Sequence, residues 1–118
     1  MKYLMFVCWD AEAMNAQPDP TPEELAKLDD ESFPWLDEVP ASGKRLDGDM
    51  LAPPRKAATV RVRDGRLAVT EGPFLETKEA IGGFDILECD SLEEAVKIAA
   101  GHPVAQLGTI EVRPFWGG

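Results

Sequence analysis

A chain of 118 residues has room for one domain, spanning 1–118, and 44% hydrophobic residues are enough to form a core. A net charge of −10, with 12 Lys and Arg scattered among 22 Asp and Glu, argues against direct nucleic-acid binding, which needs clustered cations against phosphate. No apolar run is long enough to span a bilayer, and the short apolar N-terminus meets Asp10 and Glu12 at once without a small-residue cleavage site, so a cytoplasmic protein is expected.

Residues 2–9 read as a strand. Tyr3, Met5, Val7 and Trp9 point one way and Leu4, Phe6 and Cys8 the other, so both faces need cover. Helices can take one face, and a second copy of the chain is the economical cover for the other. Residues 11–20, with Pro18 and Pro20, read as a loop. Thr21-Pro22-Glu23-Glu24 is a helix start, with Thr21 as N-cap, Pro22 in the first turn and Glu24 completing a capping box. Leu25 and Leu28 supply the apolar stripe, and Pro34 should interrupt the helix. A second short helix is expected over 34–39, ended by Pro40 and Gly43.

Residues 44–51 make a short strand. Ala58–Arg63 alternates in polarity, Asp64-Gly65 follows, and 67–70 alternates again, which predicts a tight hairpin. Glu71–Phe84 then packs Gly72-Pro73, four ionisable side chains (Glu71, Glu76, Lys78, Glu79) and Gly82-Gly83 into one stretch. This predicts a specified loop at the entrance to a strand over 84–89. Ser91-Leu92-Glu93-Glu94 is a second capping box, and Leu92, Ala95, Val96 and Ala99 recur at helical spacing up to Gly101. Residues 109–113 form the last strand, ended by Pro114. The order strand, helix, strand, hairpin, strand, helix, strand predicts an α+β fold: a ferredoxin-like split β-α-β sandwich with an inserted β-hairpin.

His102 is the single histidine. An unperturbed pKa of about 6.5 suits it to acid–base work, while its place after Gly101 suits it equally to capping a helix end. Glu71, Glu76 and Lys78 could form an acid–base group or a structural charged rim. In extended chain Glu76 and Lys78 share a side and make the natural local pair. Cys8 and Cys89 lie far apart in sequence and read as buried reduced thiols. With one histidine, no zinc site is expected, and no phosphate loop, dinucleotide pattern or nucleophile elbow points to a cofactor. Trp116, near the C-terminus, could reach a partner subunit.

Several stretches together carry a likeness to a known family: Met1-Lys-Tyr-Leu-Met5, Thr59-Val-Arg-Val-Arg-Asp-Gly65, Glu71-Gly-Pro-Phe-Leu-Glu-Thr-Lys-Glu79 with Gly82-Gly83, Leu92-Glu-Glu-Ala95, His102-Pro103, and Gly108–Phe115. Over nearly its whole length the chain resembles the YCII-related proteins, in particular the branch named for an Asp-Gly-Pro-Phe motif. The resemblance implies a ferredoxin-like protomer, a homodimer assembled as a dimeric α/β barrel, and a cleft between helices and sheet as the active site. It also implies a small-molecule ligand and, for some relatives, an alternative sigma factor as transcription partner. Glu71 replaces the aspartate of the motif. Simpler family members pair a first-helix histidine with an Asp-Pro aspartate. Here the first helix has no histidine and His102-Pro103 occupies the Asp-Pro-like position, so that pair does not carry over as a unit. Three functions follow: acid–base chemistry on a polar organic metabolite near His102 and the Glu71–Glu79 loop, a non-catalytic ligand-binding or regulatory module, or a purely structural partner protein. A deep pocket with a convergent histidine and carboxylate would favour the first. A shallow pocket with an exposed apolar patch would favour a partner-binding protein.

Overall fold

A computed structural model describes residues 1–30 and 33–117, without the side chains of 28–30. The elements are β1 (Lys2–Asp10), α1 (Ala11–Ala16), α2 (Pro22–Asp30), α3 (Pro34–Ala41), β2 (Arg45–Met50), β3 (Ala58–Arg63), β4 (Arg66–Glu71), β5 (Glu79–Glu88), α4 (Leu92–Ala100) and β6 (Thr109–Pro114). Short 3-10 turns cover Pro54–Lys56 and Pro103–Gln106. Four strands form one antiparallel sheet in the order β2-β5-β1-β6, and β3 and β4 form a separate two-stranded ribbon. This is the ferredoxin-like α+β arrangement, with the ribbon inserted between β2 and β5.

One sheet face is closed. Tyr3, Met5 and Val7 alternate along β1, and Leu87 lies opposite Tyr3. With Trp35 of α3, Ala95 and Ala99 of α4, and Cys89, they form the buried cluster, and Phe33, Leu36, Val39, Ile98 and Val112 pack against it. The other face, with Leu4, Phe6, Phe84 and Ile86, is only half covered.

The helix starts follow local chemistry. Glu24 N–H donates to Thr21 Oγ1 at 3.2 Å, and Glu94 N–H donates to Ser91 Oγ at 3.2 Å. Leu25 is 51% exposed, so the stripe on α2 is not buried at that position, and Leu28 lies outside the described side chains. Residues 31 and 32, where Pro34 was expected to interrupt the helix, lie outside the described residues; α2 itself ends at Asp30. Helix α3 runs through Pro40, past the expected stop, to the Ser42 cap. The hairpin turn has positive φ at both Asp64 (53°) and Gly65 (74°), as a primed two-residue turn requires.

Two segments differ from the sequence reading. Residues 11–16 are helical rather than loop, because Asp10 Oδ1 accepts from Ala13 N–H at 2.9 Å and caps the turn, while Met14 is buried. Strand β5 begins at Glu79 rather than Phe84, so Gly82-Gly83 lie inside a strand. Pairing with β1 slips between Val7↔Gly83 and Cys8↔Ile81, which leaves Gly82 as the extra residue of a bulge. A methyl group on Gly82 would sit 2.8 Å from Trp9 Nε1 and 3.1 Å from Met14 Sδ, and one on Gly83 would sit 3.1 Å from Asp49 O. Close approach, and not flexibility, selects the pair.

Candidate functional site

Strand β5 carries one acid among its buried positions. Asp85 lies opposite Met5 on the closed face and is 6% exposed. Its partner comes from forty residues away: Arg45 Nε donates to Asp85 Oδ1 at 2.7 Å. A second bulge makes the meeting possible. Pairing of β2 with β5 slips between Arg45↔Leu87 and Asp47↔Ile86, so Arg45 shares the side of Leu87, and Gly48 falls opposite Asp85. A side chain on Gly48 would overlap both Asp85 Oδ1 and Arg45 Nη2, so glycine leaves the space that the pair fills. Burial raises the Asp85 carboxyl above its ordinary range, although the guanidinium pulls it down. The Arg45 side chain keeps 20% of its surface exposed against 8% for Asp85, so the pair is approached from solvent through the guanidinium. This pair was not singled out from sequence.

Among the described residues, none of those singled out from sequence is hydrogen-bonded or ion-paired to the Arg45–Asp85 pair. His102 is 8% exposed, between the rings of Phe33 at 5.2 Å and Trp35 at 4.9 Å, both edge-on. Its Nδ1 accepts from Val104 N–H at 3.1 Å and caps the 3-10 turn, so the proton of the neutral ring is on Nε2. Burial alone lowers its pKa, and no charged side chain contributes to the shift. Glu71 ends β4 on the ribbon and is exposed. Glu76 and Lys78 are exposed on the 72–78 connection, where the Lys78 carbonyl accepts from Ala11 N–H at 2.9 Å. Glu79 opens β5 opposite Asp10, and its Oε1 accepts from Thr109 Oγ1 at 2.8 Å. The structure therefore places His102 in the core and the three loop candidates on the exterior.

The His102 cap has a pH signature. Its folded pKa is below the unfolded value of 6.5, so the unfolded chain takes up the proton first as pH falls. The stability contributed by the neutral ring is complete above about pH 6.5 and is lost as pH falls through the lowered value. Urea unfolding followed from pH 7.5 to pH 5 should show this loss. His102→Asn, which keeps a capping oxygen, should flatten that limb; an unchanged limb in the variant would exclude His102 as its source.

Of the thiols, Cys89 is buried and Cys8 half-buried on the open sheet face; burial, followed by the charges of Glu79 and Glu111, raises the Cys8 pKa. Among the described residues no group of three or more His, Cys, Asp or Glu is arranged to hold a metal, and no helix is long and apolar enough to cross a membrane. Two shallow grooves lie among the described residues. A groove of about 470 Å³ between α4 and β6 is lined by Leu92, Val96, Ile110 and Val112, and a second runs along β3 beside Phe74. Neither contains His102, Glu71, Glu76 or Lys78.

The element order and the β2-β5-β1-β6 sheet define a small α+β protein of the ferredoxin-like class. The YCII-related domain matches residues 1–116, and the chain belongs to that family. A segment of 67 residues, 55% of the chain, is 44% identical to an uncharacterized protein of Rhizobium meliloti (strain 1021). That segment covers 54% of the relative, so the match spans about half of each protein.

Proposed function

We propose that the protein binds a small polar metabolite carrying an anionic group and performs acid–base chemistry on it at Arg45 and Asp85. The supporting observation is the placement of this pair: a carboxylate and a guanidinium joined at 2.7 Å on the helix-covered sheet face, with the guanidinium on the solvent side. Arg45 has N–H groups beyond the Nε that meets Asp85, and a guanidinium recognises carboxylate or phosphate oxygens through such a fork. A carboxyl that burial holds above its ordinary range takes up a proton more readily than a solvated one, which suits it to acid–base work on a bound ligand. His102 then has a structural role in the core, as the cap of the 103–106 turn, and Glu71, Glu76 and Lys78 serve the ribbon and its connection.

A thermal-shift screen of small mono- and dicarboxylates and phosphate esters tests this reading, since a ligand of the native state raises its melting temperature. At least one is expected to stabilise the wild type and to lose that effect in the Arg45→Met/Asp85→Leu double variant. Equal stabilisation of both proteins would remove the pair from the site.

Within the family, Glu71-Gly72-Pro73-Phe74 supports a place in the Asp-Gly-Pro-Phe branch. The half-covered face with Leu4, Phe6, Phe84 and Ile86 supports a homodimer in which two such faces close into an α/β barrel. A second reading, a non-catalytic regulatory module with a transcription-factor partner, is favoured by the shallow grooves and by the exposed apolar side chains of Phe74, Leu107 and Trp116.

A further inference from the structure

We infer that the β3–β4 ribbon is an arm that lies across a second copy of this chain and completes the contact between the two open sheet faces. The inference rests on the pairing of faces proposed above and adds a distinct element to it.

Every ribbon residue except Thr59 is exposed. Val60 pairs with Val69 and Val62 with Leu67, so one ribbon face carries four aliphatic side chains in a block, each 58–68% exposed. An isolated two-stranded ribbon is at best marginally stable in water and needs an apolar surface against its face. The protomer does not supply one. Its radius of gyration is 16.2 Å, where a compact chain of this length would have about 13.5 Å, as expected when an arm projects from the body.

Charge favours a second copy as the occupant. Arg61, Arg63 and Arg66, three of the 12 basic residues, gather at the ribbon tip in a protein of net charge −10, and none is in an ion pair among the described residues. Asp47 lies opposite Ile86 and Asp49 opposite Phe84, beside the open apolar face, and neither is in an ion pair among the described residues. Long arginine side chains at the tip can bend over the ribbon edge to those carboxylates while the second copy covers the aliphatic block of the ribbon. The contact would set cations of each copy against acids of the other, where two bodies of charge −10 would otherwise repel.

Area points the same way. Four strands about 4.8 Å apart and about 20 Å long offer roughly 380 Å² per open face, or about 770 Å² for a face-to-face pair, below the ~1,200 Å² at which specific interfaces begin. Two arms, each covering about 200 Å² and the same area beneath it, bring the total to roughly 1,600 Å².

Sedimentation velocity and hydrogen exchange test this with the full chain. The wild type is expected to be a dimer at micromolar concentration, with ribbon amides protected there and exposed on dilution to monomer. Val62→Asp/Leu67→Asp, which alters no buried residue, should keep the thermal unfolding of the body, weaken dimerisation about 100-fold and lose ribbon protection. Arg61→Glu/Arg63→Glu should weaken it less, and more so at low salt. If the wild type is a dimer and the Asp variant dimerises equally well with an unprotected ribbon, the arm is refuted and face pairing stands. A monomer at every concentration refutes both. Ribbon protection in a monomer, or only after an added transcription factor, also refutes the arm.

Discussion

Replacing Arg45 with methionine is expected to lower stability by about 3–5 kcal/mol, because it strands the buried Asp85 carboxylate without its counter-charge. For a domain of this size that corresponds to a fall in Tm of roughly 10 °C or more, read by circular dichroism or urea unfolding. The loss carries a pH sign. Asp85 already has a folded pKa above its unfolded 3.8, so its contribution is most favourable at low pH and declines as pH rises through the folded value. Removing the guanidinium raises that value further, so the variant should lose less at pH 4 than at pH 7. Arg45→Met/Asp85→Leu should recover most of the stability, since a buried ion pair exchanged for apolar side chains of similar size is often neutral. Ligand stabilisation should not return with it. Recovery of the fold without recovery of binding separates the two roles of the pair, and wild-type stability in Arg45→Met alone would refute its burial.

Trp35→Ala is expected to cost about 3–5 kcal/mol, the usual range for deleting a large buried ring. Trp35 is 5% exposed and donates from Nε1 to the Ile98 carbonyl at 2.7 Å, which ties α3 to α4. It lies 6.4 Å from the Phe33 ring in a stacked arrangement and meets His102 edge-on. The alanine variant therefore opens a cavity beside the His102 cap, and the 103–106 turn should lose amide protection with it. Trp35→Phe keeps most of the ring and loses one hydrogen bond, so about 0.5–1.5 kcal/mol is expected from that bond. Equal losses in the two variants would show that the hydrogen bond, and not packing, holds the helices.

Most of the sheet, the ribbon and the Thr21 and Ser91 N-caps were legible because each rests on a local pattern: Asp64-Gly65 between alternating strands, and a hydroxyl three residues before Glu24 and Glu94, whose N–H groups donate to it. Helix α1 was hidden because it is six residues long and buries only Met14, too little for a helical period. The first half of β5 was hidden because Gly82-Gly83 disfavours a strand on propensity, and the reason for the glycines lies in Trp9, Met14 and Asp49, remote in sequence. The Arg45–Asp85 pair depends on a pairing slip that no single-sequence pattern encodes. One signal was present. Asp85 interrupts the apolar run Phe84-Asp-Ile-Leu87, and an acid at an inward strand position needs a partner. His102 sat where a cap was readable from Gly101, though the ring caps the following 3-10 turn rather than the end of α4.

The borders of the main sheet limit how these molecules can meet. Strand β2 carries Arg45, Asp47 and Asp49 around Gly48, and β6 carries Glu111 and Arg113 and finishes at Pro114. Charged side chains and a residue without an amide proton make poor templates for a neighbouring backbone, so the sheet resists lengthening sideways into a fibre. A partner is better met on the half-covered broad face than along either of these edges.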